Sequence, residues 1–366
     1  MVALSAAEAT NLEIATTGTR PFVAVFIGGT AGIGLRGIQG LVSAHVRAGA
    51  RSRGLRVYIV GRNADAASAL IAESRAKLPK GTFTFVQAKD LGLLADVDSV
   101  CTAVIDAERA AAAKENHSPQ IDLLVLTQGV VSFSKRKDTT EGIDHVTALV
   151  YYGRARAIDR LLPLLTDAAG GATSSHVGHV VAVVNPRLEG PLNADDLSLR
   201  DPKNFTFGQR SAHMALGTTL YLQALATRHP GRLAGVHYYP GVVMTDIFKS
   251  SPLPWWARWL TRLVTPLFYV LSVSDKECGE RVAFLASTAH FPPKAAPNAK
   301  PAPSAANILG ADGQPNSGAY RLNYDGEAIK TNKLVAEYEA NGLLEKWYAH
   351  TTAAFAAVEA GRPFTE

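Results

Sequence analysis

The chain alternates between short, continuous apolar runs and longer stretches in which apolar residues recur every three or four positions. The run Phe22–Ile27 is rich in β-branched residues and carries no charge. Such a run is typical of a strand that is buried on both faces of a parallel sheet. The longer stretches have the period of an amphipathic helix. Strands and helices that alternate along a chain predict a parallel sheet with helices on both faces.

The pattern predicts an α/β fold of the Rossmann type, a doubly wound parallel sheet of about seven strands. The predicted strands are 22–27, 55–60, 82–86, 121–126, 177–184, 233–238 and 318–324. The predicted helices are 4–15, 33–45, 65–78, 95–113, 142–165 and 205–228, with one or two more in 332–358. We therefore expect a single domain over 1–366, with an N-terminal helix at 4–15 and a C-terminal extension at 318–360.

A glycine-rich turn joins the first strand to the first long helix. It contains Gly28, Gly32, Ile33 and Gly34 in a G-x-x-x-G-x-G spacing. Glycine lets the backbone approach a pyrophosphate, and the helix that follows offers free N–H groups and a partial positive charge. The stretch predicts a dinucleotide phosphate site. An ordinary strand-to-helix turn is the alternative interpretation.

Arg62 follows the second predicted strand. In dinucleotide-binding folds an acid near this point bonds the ribose 2′-hydroxyl of NAD, whereas an arginine accommodates the 2′-phosphate of NADP. The position therefore favours NADP(H) as the cofactor. A surface arginine without a ligand is the alternative.

These segments resemble the short-chain dehydrogenase/reductase family, whose nucleotide loop has the pattern T-G-x-x-x-G-I-G. Ile27 replaces the threonine, and the glycines and Ile33 match. The family's P-G-x-V-x-T motif is matched at 240–245, which implies a carboxamide contact for Thr245. Its N-N-A-G motif keeps only Gly129, and the resemblance assigns the adenine contact to Asp90. The similarity covers roughly 22–245, and the remaining segments resemble those of a fungal branch of the family.

The resemblance does not extend to the family's catalytic Asn, Ser, Tyr and Lys. The matching positions hold Val150, Asn185, Phe207 and Ser211, and the chain contains no Tyr-x-x-x-Lys. Phenylalanine cannot donate a proton, and serine carries no charge. The interconversion of alcohols and ketones should therefore lose the ~10²–10⁴-fold that a positioned acid supplies.

Three side chains are candidates to act in place of the missing acid. Asn185 offers its amide, His213 lies one turn after Gln209, and Tyr151 offers a hydroxyl. Tyr152 and Tyr239 are further hydroxyls in the same segments. A surface or packing role is the alternative for the histidine, and a core or pocket-wall role is the alternative for the tyrosines.

Three functions are compatible with these residues. The first is NADP(H)-dependent reduction of an apolar small molecule, which the resemblance places in secondary metabolism. The second is a non-redox cyclase or isomerase that accelerates its reaction by holding one conformer, since orientation alone is worth several kcal/mol. The third is a cofactor-binding pseudoenzyme. Fold alone does not choose among them.

An aromatic segment, 252–273, contains three of the four tryptophans. Trp255, Trp256 and Trp259 share a helical face with leucines, whereas two arginines lie on the opposite face. We expect an apolar lid over 250–275 that covers the substrate. The alternatives are a helix packed on the core or on a second copy in a homo-oligomer, and peripheral membrane contact through 253–264. The Pro/Ala-rich stretch 291–306 predicts an exposed mobile loop.

Composition excludes several other classes of protein. The net charge of +5 comes from basic residues scattered among acids, so no nucleic-acid partner is predicted. Two cysteines provide neither a metal-site spacing nor a disulfide framework. The N-terminus lacks the features of a signal peptide, and no stretch reaches the ~20 apolar residues that span a bilayer. We expect a cytoplasmic protein, with membrane association only through 253–264, and no metal.

Overall fold

The computed structural model describes residues 2–167, 175–245, 259, 272–297, 307–330 and 332–366. Its strands are β1 (Phe22–Ile27), β2 (Leu55–Gly61), β3 (Thr82–Gln87), β4 (Leu123–Leu126), β5 (Gly178–Val183), β6 (Leu233–Tyr238) and β7 (Ala319–Leu322). All seven pair in parallel in the order β3-β2-β1-β4-β5-β6-β7. This confirms the predicted doubly wound α/β sheet, with strand ends within a few residues of those expected.

The helices follow the predicted alternation. They are α1 (Leu4–Thr16), α2 (Gly32–Ala48), α3 (Ala64–Lys77), α4 (Leu94–Lys114), α5 (His145–Thr147), α6 (Gly153–Leu165) and α7 (Phe207–Arg228). The described residues of the C-terminal third contain the further helices Asp275–Phe284, Lys333–Ala340 and Leu343–Glu359. The Asp275–Phe284 helix was not predicted, because its polar sequence carries no strong apolar stripe.

Residues of each strand divide between two apolar cores, one on each face of the sheet. Val23, Val25 and Ile27 of β1 pack in one core with α4, α6 and α7. Phe22, Ala24 and Phe26 pack in the other core with α2 and the Asp275–Phe284 helix. Because side chains alternate along a strand, burial on both sides needs an apolar residue at every position. The continuous apolar run of β1 follows from this requirement.

The helix predicted over 142–165 is interrupted. A π-helical turn, Ala148–Tyr152, joins α5 to α6. Turns of this kind inside helices are frequent at functional sites. Val150, which matches the family's asparagine, lies in this turn. No periodicity in the sequence distinguishes one π turn from an α-helix.

One expectation about the loop at 291–306 is wrong at its start. Phe291 is buried rather than exposed, and its ring packs edge-on against Phe284 with centroids 5.4 Å apart. The tail of the stretch, 298–306, lies outside the described residues, so its predicted mobility stays a prediction. The same holds for most of the lid predicted over 250–275, including the membrane contact at 253–264.

Candidate functional site

The glycine turn lies at the carboxyl end of β1, where the strand order reverses between β1 and β4. Ligands of doubly wound sheets bind at this crevice. Gly28 has φ +89°, and a β-carbon on it would lie 2.5 Å from Oγ1 of Thr127. A β-carbon on Gly34 would lie 2.6 Å from the carbonyl oxygen of Gly28. Both positions therefore require glycine, because the chain crosses itself too closely for any side chain.

The first turn of α2 is open for an anion. Ala31 at its N-cap makes no side-chain cap, and no acidic residue lies in the first turn. The orphan N–H groups of a helix start attract phosphate. Gly32 has φ +56°, and the nearest atom to a β-carbon on it would be Cγ2 of Thr245 at 3.3 Å. The structure thus brings Thr245 to the glycine turn, and this cradle fits a pyrophosphate.

Two side chains tie the turn to its surroundings. The Thr127 hydroxyl donates to the carbonyl oxygen of Gly28 at 3.0 Å, which holds the turn on the end of β4. The Arg36 guanidinium donates to the carbonyl oxygens of Gly32 at 3.0 Å and Met244 at 3.4 Å. These bonds hold the turn in register with the segment that carries Thr245.

Arg62 is exposed at the end of β2, as the 2′-phosphate prediction requires. A β-carbon on the preceding Gly61 would lie 2.7 Å from Cγ2 of Thr30, so the glycine turn and the end of β2 are adjacent. Asp90 follows β3. Its carboxylate accepts from the N–H of Gly92 at 2.9 Å and lies 3.3 Å from Nε2 of His145. The side chain is 44% exposed, so it remains accessible.

A buried arginine lies at the carboxyl ends of β4 and β5. Arg154 of α6 donates through Nε to the carbonyl oxygen of Gln128 at 3.1 Å and through Nη1 to that of Val183 at 2.9 Å. No carboxylate among the described residues pairs with it. Burial lowers the pKa of Arg154 to about 9. A β-carbon on Gly129 would lie 3.4 Å from its Nη2 and 3.6 Å from Val150.

Gln128 contributes an amide without a partner. The residue is 6% exposed, and its side-chain oxygen and nitrogen make no hydrogen bond within the described part of the chain. Leaving such groups unpaired costs about 1–3 kcal/mol. A polar ligand at the ends of β4 and β5 would satisfy them, which is a second feature that fits a cofactor.

The four positions predicted to match the family's catalytic residues lie on different elements. Val150 is in the π turn and Ser211 is 8% exposed within α7. Asn185 follows β5, and its side-chain oxygen accepts from the N–H of Arg187 at 3.0 Å. This bond leaves the amide NH₂ as the group of Asn185 that can donate. Phe207, the first residue of α7, is 42% exposed.

The geometry does not fit the predicted role of His213 as an acid. Its Nε2 accepts from the N–H of Asn193 at 2.9 Å, so Nδ1 carries the proton and lies 3.2 Å from the carbonyl oxygen of Leu197. Burial lowers the pKa of His213 to about 4. The neutral imidazole, with both ring nitrogens hydrogen-bonded to the backbone, holds the loop before α7. His213 therefore has the packing role that was the alternative to an acid.

Tyr151 likewise lies in the core rather than in the crevice. It is 2% exposed, and its hydroxyl lies 2.7 Å from Oγ1 of Thr351. Its ring packs on Trp347 with centroids 5.1 Å apart. Burial raises the pKa of Tyr151 well above 10, so this hydroxyl is a poor proton donor. Tyr152 is also buried, with its hydroxyl 2.7 Å from Nε2 of His350.

Sequence reasoning missed Gln128, Arg154 and Phe133. Phe133 stacks on Phe207 with ring centroids 4.4 Å apart and is 44% exposed. A signal for Arg154 was present, because it lies midway between Val150 and Ile158 at helical spacing, on a face that is otherwise apolar. Nothing local distinguished Gln128 or Phe133 from ordinary loop residues.

The described ranges contain no group of three or more His, Cys, Asp or Glu side chains placed to hold a metal ion. The helices of those same ranges are all too short or too polar to cross a bilayer.

Curated relatives match the chain almost end to end. "Oxidoreductase AN1596" of Emericella nidulans is 32% identical over 354 residues, which cover 96% of this chain and 97% of that protein. "NmrA-like family domain-containing oxidoreductase notO" of an Aspergillus species is 31% identical, covering 99% and 98%. "Short-chain dehydrogenase/reductase SAT2" of Stachybotrys chartarum is 31% identical, covering 90% of each. The chain matches no protein-family model.

Solved structures share the fold at low identity. An NADPH-bound carbonyl reductase from chicken fatty liver is 16% identical with a TM-score of 0.51, covering 87% of this chain and 97% of that one. An NADPH-dependent 3-quinuclidinone reductase from Rhodotorula rubra is 14% identical with a TM-score of 0.51, covering 78% and 90%. These similarities concern the arrangement of the backbone.

Proposed function

This chain belongs to the short-chain dehydrogenase/reductase family, and on that basis we propose that it is an NADP(H)-dependent oxidoreductase acting on an apolar small molecule. The observation that carries the proposal is the glycine turn at the open start of α2, with Thr245 beside Gly32. Relatives named as oxidoreductases support it, as do two similarly folded reductases, one NADPH-bound and one NADPH-dependent.

Residues along the crevice would hold the two halves of the cofactor. In this proposal Gly28, Gly32, Ile33 and Gly34 bind the pyrophosphate. Arg62 and Asp90, after β2 and β3, bind the adenosine half. Gly129 and Thr245 then border the nicotinamide half, because the dinucleotide crosses the switch point from β2 and β3 toward β4. Arg62 selects NADP(H), since its charge pairs with a 2′-phosphate.

When bound, the cofactor supplies a hydride, and the chain must stabilise the charge that develops on the substrate. Asn185 offers its amide NH₂ from the end of β5, and Gln128 offers an unpaired amide from the end of β4. A hydrogen-bond donor aimed at developing negative charge lowers the barrier without transferring a proton. Phe207 and Ser211 supply neither an acid nor a cation. We therefore propose that the substrate is one that needs little proton donation, such as an iminium or an activated enone.

The proposed substrate is apolar because of the surface beside the crevice. Phe207 begins α7 and stacks on Phe133, which follows β4, and both rings remain more than two-fifths exposed. Exposed aromatic faces of this kind bind flat apolar molecules. The fungal relatives lead us to propose secondary metabolism as the setting.

The proposal is tested by titrating the protein with NADPH and NADH and by following NADPH consumption with ketones, enones and imines. We expect NADPH to bind more tightly than NADH and to be consumed with iminium or enone acceptors. Absence of binding by either cofactor would remove the oxidoreductase assignment.

A non-redox cyclase or isomerase on the same scaffold is the second candidate. The observation that favours it is the pair Phe207 and Ser211, which lack the proton and the charge of the family's tyrosine and lysine. Product formation without NADPH consumption would support this candidate. Cofactor binding without any turnover of the cognate substrate would instead support a pseudoenzyme.

A further inference from the structure

Resting on the proposed function, we infer that Arg154 makes this site bind the reduced cofactor in preference to the oxidised one, and so directs the protein toward reduction. Arg154 is a positioning residue in this inference, because it acts through its charge and not through contact with the reacting atoms.

The guanidinium lies below the ends of two adjacent strands. It bonds the carbonyl oxygen of Gln128, after β4, and that of Val183, the last residue of β5. Ligands of doubly wound sheets lie just outside the carboxyl ends of the strands. Arg62 follows β2 and Asp90 follows β3, and in the proposed function both bind the adenosine half of the cofactor. The nicotinamide half therefore lies over the ends of β4 and β5.

The backbone of Gly129 lies against the buried guanidinium of Arg154. A β-carbon at this position would lie only 3.4 Å from Nη2 of Arg154, so the charge is next to a backbone without a side chain. The neighbouring Gln128 amide has no partner among the described residues. Both features indicate that a polar ligand group completes this end of the crevice.

The charge of Arg154 is not balanced by a carboxylate. Among the described residues no carboxylate lies within ion-pair distance of Arg154, and its three hydrogen bonds to those residues go to backbone oxygens. The buried acid on the neighbouring elements, Glu189, is paired with Arg321 at 2.8 Å and also contacts His237. Burial lowers the pKa of His237, so this imidazole adds no charge at neutral pH. The crevice floor is therefore net positive.

A positive floor distinguishes the two oxidation states of the cofactor. The nicotinamide ring is cationic in NADP⁺ and neutral in NADPH, while the phosphates are the same in both. Repulsion between like charges in a site of low dielectric disfavours NADP⁺ alone. The same field stabilises the negative charge that develops on an enone during hydride transfer and disfavours a cationic iminium, so it selects the enone among the two proposed acceptors.

The test measures dissociation constants for NADPH and NADP⁺ by calorimetry, without any substrate. In the unmodified protein we expect NADPH to bind about tenfold more tightly than NADP⁺ or better, since tenfold needs only 1.4 kcal/mol of differential repulsion. Arg154→Met should bring the ratio to within about threefold, mainly by strengthening NADP⁺ binding. Arg154→Lys should keep the preference, because it keeps the charge while losing the forked hydrogen bonds.

Arg160→Met is the matched control. It removes the same charge from the same helix at a side chain that is 37% exposed and lies 3.6 Å from Asp98. The control should leave the ratio unchanged. Circular dichroism and an unfolding curve establish that each variant is folded, and Arg154→Gln, which also removes the charge, carries the test if Arg154→Met does not fold.

The outcomes separate this inference from the proposed function. Equal affinity for both cofactors in the unmodified protein, or a ratio that Arg154→Met leaves intact, would overturn the inference while the oxidoreductase assignment stands. Failure of the unmodified protein to bind either cofactor would overturn both.

Discussion

The ring of Phe207 stacks on the ring of Phe133, with centroids 4.4 Å apart and planes 21° apart. The two residues are 74 positions apart in the chain, and the stack joins the start of α7 to the loop after β4. The sequence resemblance predicts that Phe207 takes the position of the family's tyrosine. On that prediction the Phe133–Phe207 pair is an apolar platform in place of the usual proton donor.

Replacing the platform should weaken apolar ligands without unfolding the protein. Phe207→Ala should reduce the affinity for the fluorescent probe 1-anilinonaphthalene-8-sulfonate by about tenfold, while stability changes by less than about 1 kcal/mol because the ring is 42% exposed. The measurement is a probe titration beside a urea unfolding curve. The control is Val46→Ala, because Val46 is also an exposed apolar residue but lies on a different helix, α2. Equal loss in both variants would show that the probe binds elsewhere.

Arg62→Ala should weaken NADPH far more than NADH. The side chain is exposed beside the glycine turn, and a charged hydrogen bond to a 2′-phosphate is worth at least about tenfold in affinity. NADH lacks that phosphate and should change less than about twofold. Fluorescence titration with both cofactors measures this, and Lys77→Ala removes an exposed charge from the far end of α3 as the control. Equal losses for the two cofactors would contradict the 2′-phosphate assignment.

Gly28→Ala should abolish cofactor binding and destabilise the fold by more than about 2 kcal/mol. Its φ is +89°, and the new β-carbon would lie 2.5 Å from Thr127 and 2.9 Å from the backbone nitrogen of Gln128. Gly49→Ala is a matched control, since φ is +56° there and no atom lies within 4 Å. That control should cost about 1–2 kcal/mol from backbone strain alone and leave binding intact. Both variants are measured by urea unfolding and by NADPH titration.

Tyr151→Phe should lower stability by about 1 kcal/mol and leave NADPH binding unchanged, because it removes one buried hydrogen bond in the core. That bond joins the hydroxyl to Oγ1 of Thr351 at 2.7 Å. Unfolding curves and cofactor titrations on the same preparation distinguish the two effects. A variant of full stability with impaired turnover would instead place Tyr151 in the reaction.

Acid should destabilise the protein through its buried neutral histidines. Burial lowers the pKa of both His213 and His350 to about 4, from an ordinary value of 6.5. Between pH 6.5 and 4 the unfolded chain binds protons that the folded chain does not, so the free energy of unfolding falls as pH falls. Each histidine contributes at most about 1.4 kcal/mol per pH unit in that window.

The measurement of this pH dependence is the urea midpoint at pH 7, 6 and 5. His213→Gln keeps polar atoms for the backbone partners but cannot titrate, so its midpoint should fall less steeply with acid. A midpoint that stays constant or rises toward pH 5 would show that these rings are protonated in the folded state.

The chemistry of the crevice was only partly predictable from sequence. The turn at Gly28 and Gly34 was found from the glycine spacing, and the geometry explains that spacing by a crossing of the chain too tight for a β-carbon. The role of Arg62 was predicted from its place after an apolar run and stays a prediction. These signals are local, because a few consecutive residues determine a turn and the start of a helix.

The partners of the other polar side chains were decided by contacts between distant segments. The position of His213 on its helix would have allowed its side chain to face the crevice, but its ring faces the backbone of Asn193 and Leu197. The direction of a ring on a helix depends on which loop packs against it, and no periodicity encodes that. The backbone carbonyl of Gln128 and the guanidinium of Arg154 meet only because β4, β5 and α6 pack together.

The sequence by itself determined the sheet and the glycine turn of this protein. A strand buried on both faces must be apolar at every position, and a crowded turn must be glycine, so short stretches of sequence are enough to predict both. Only the tertiary structure decided that Phe207 would stack on Phe133 and that Arg154 would be buried with no acid beside it among the described residues. Whether a charge is balanced depends on every group around it in space, and most of those groups come from distant parts of the chain.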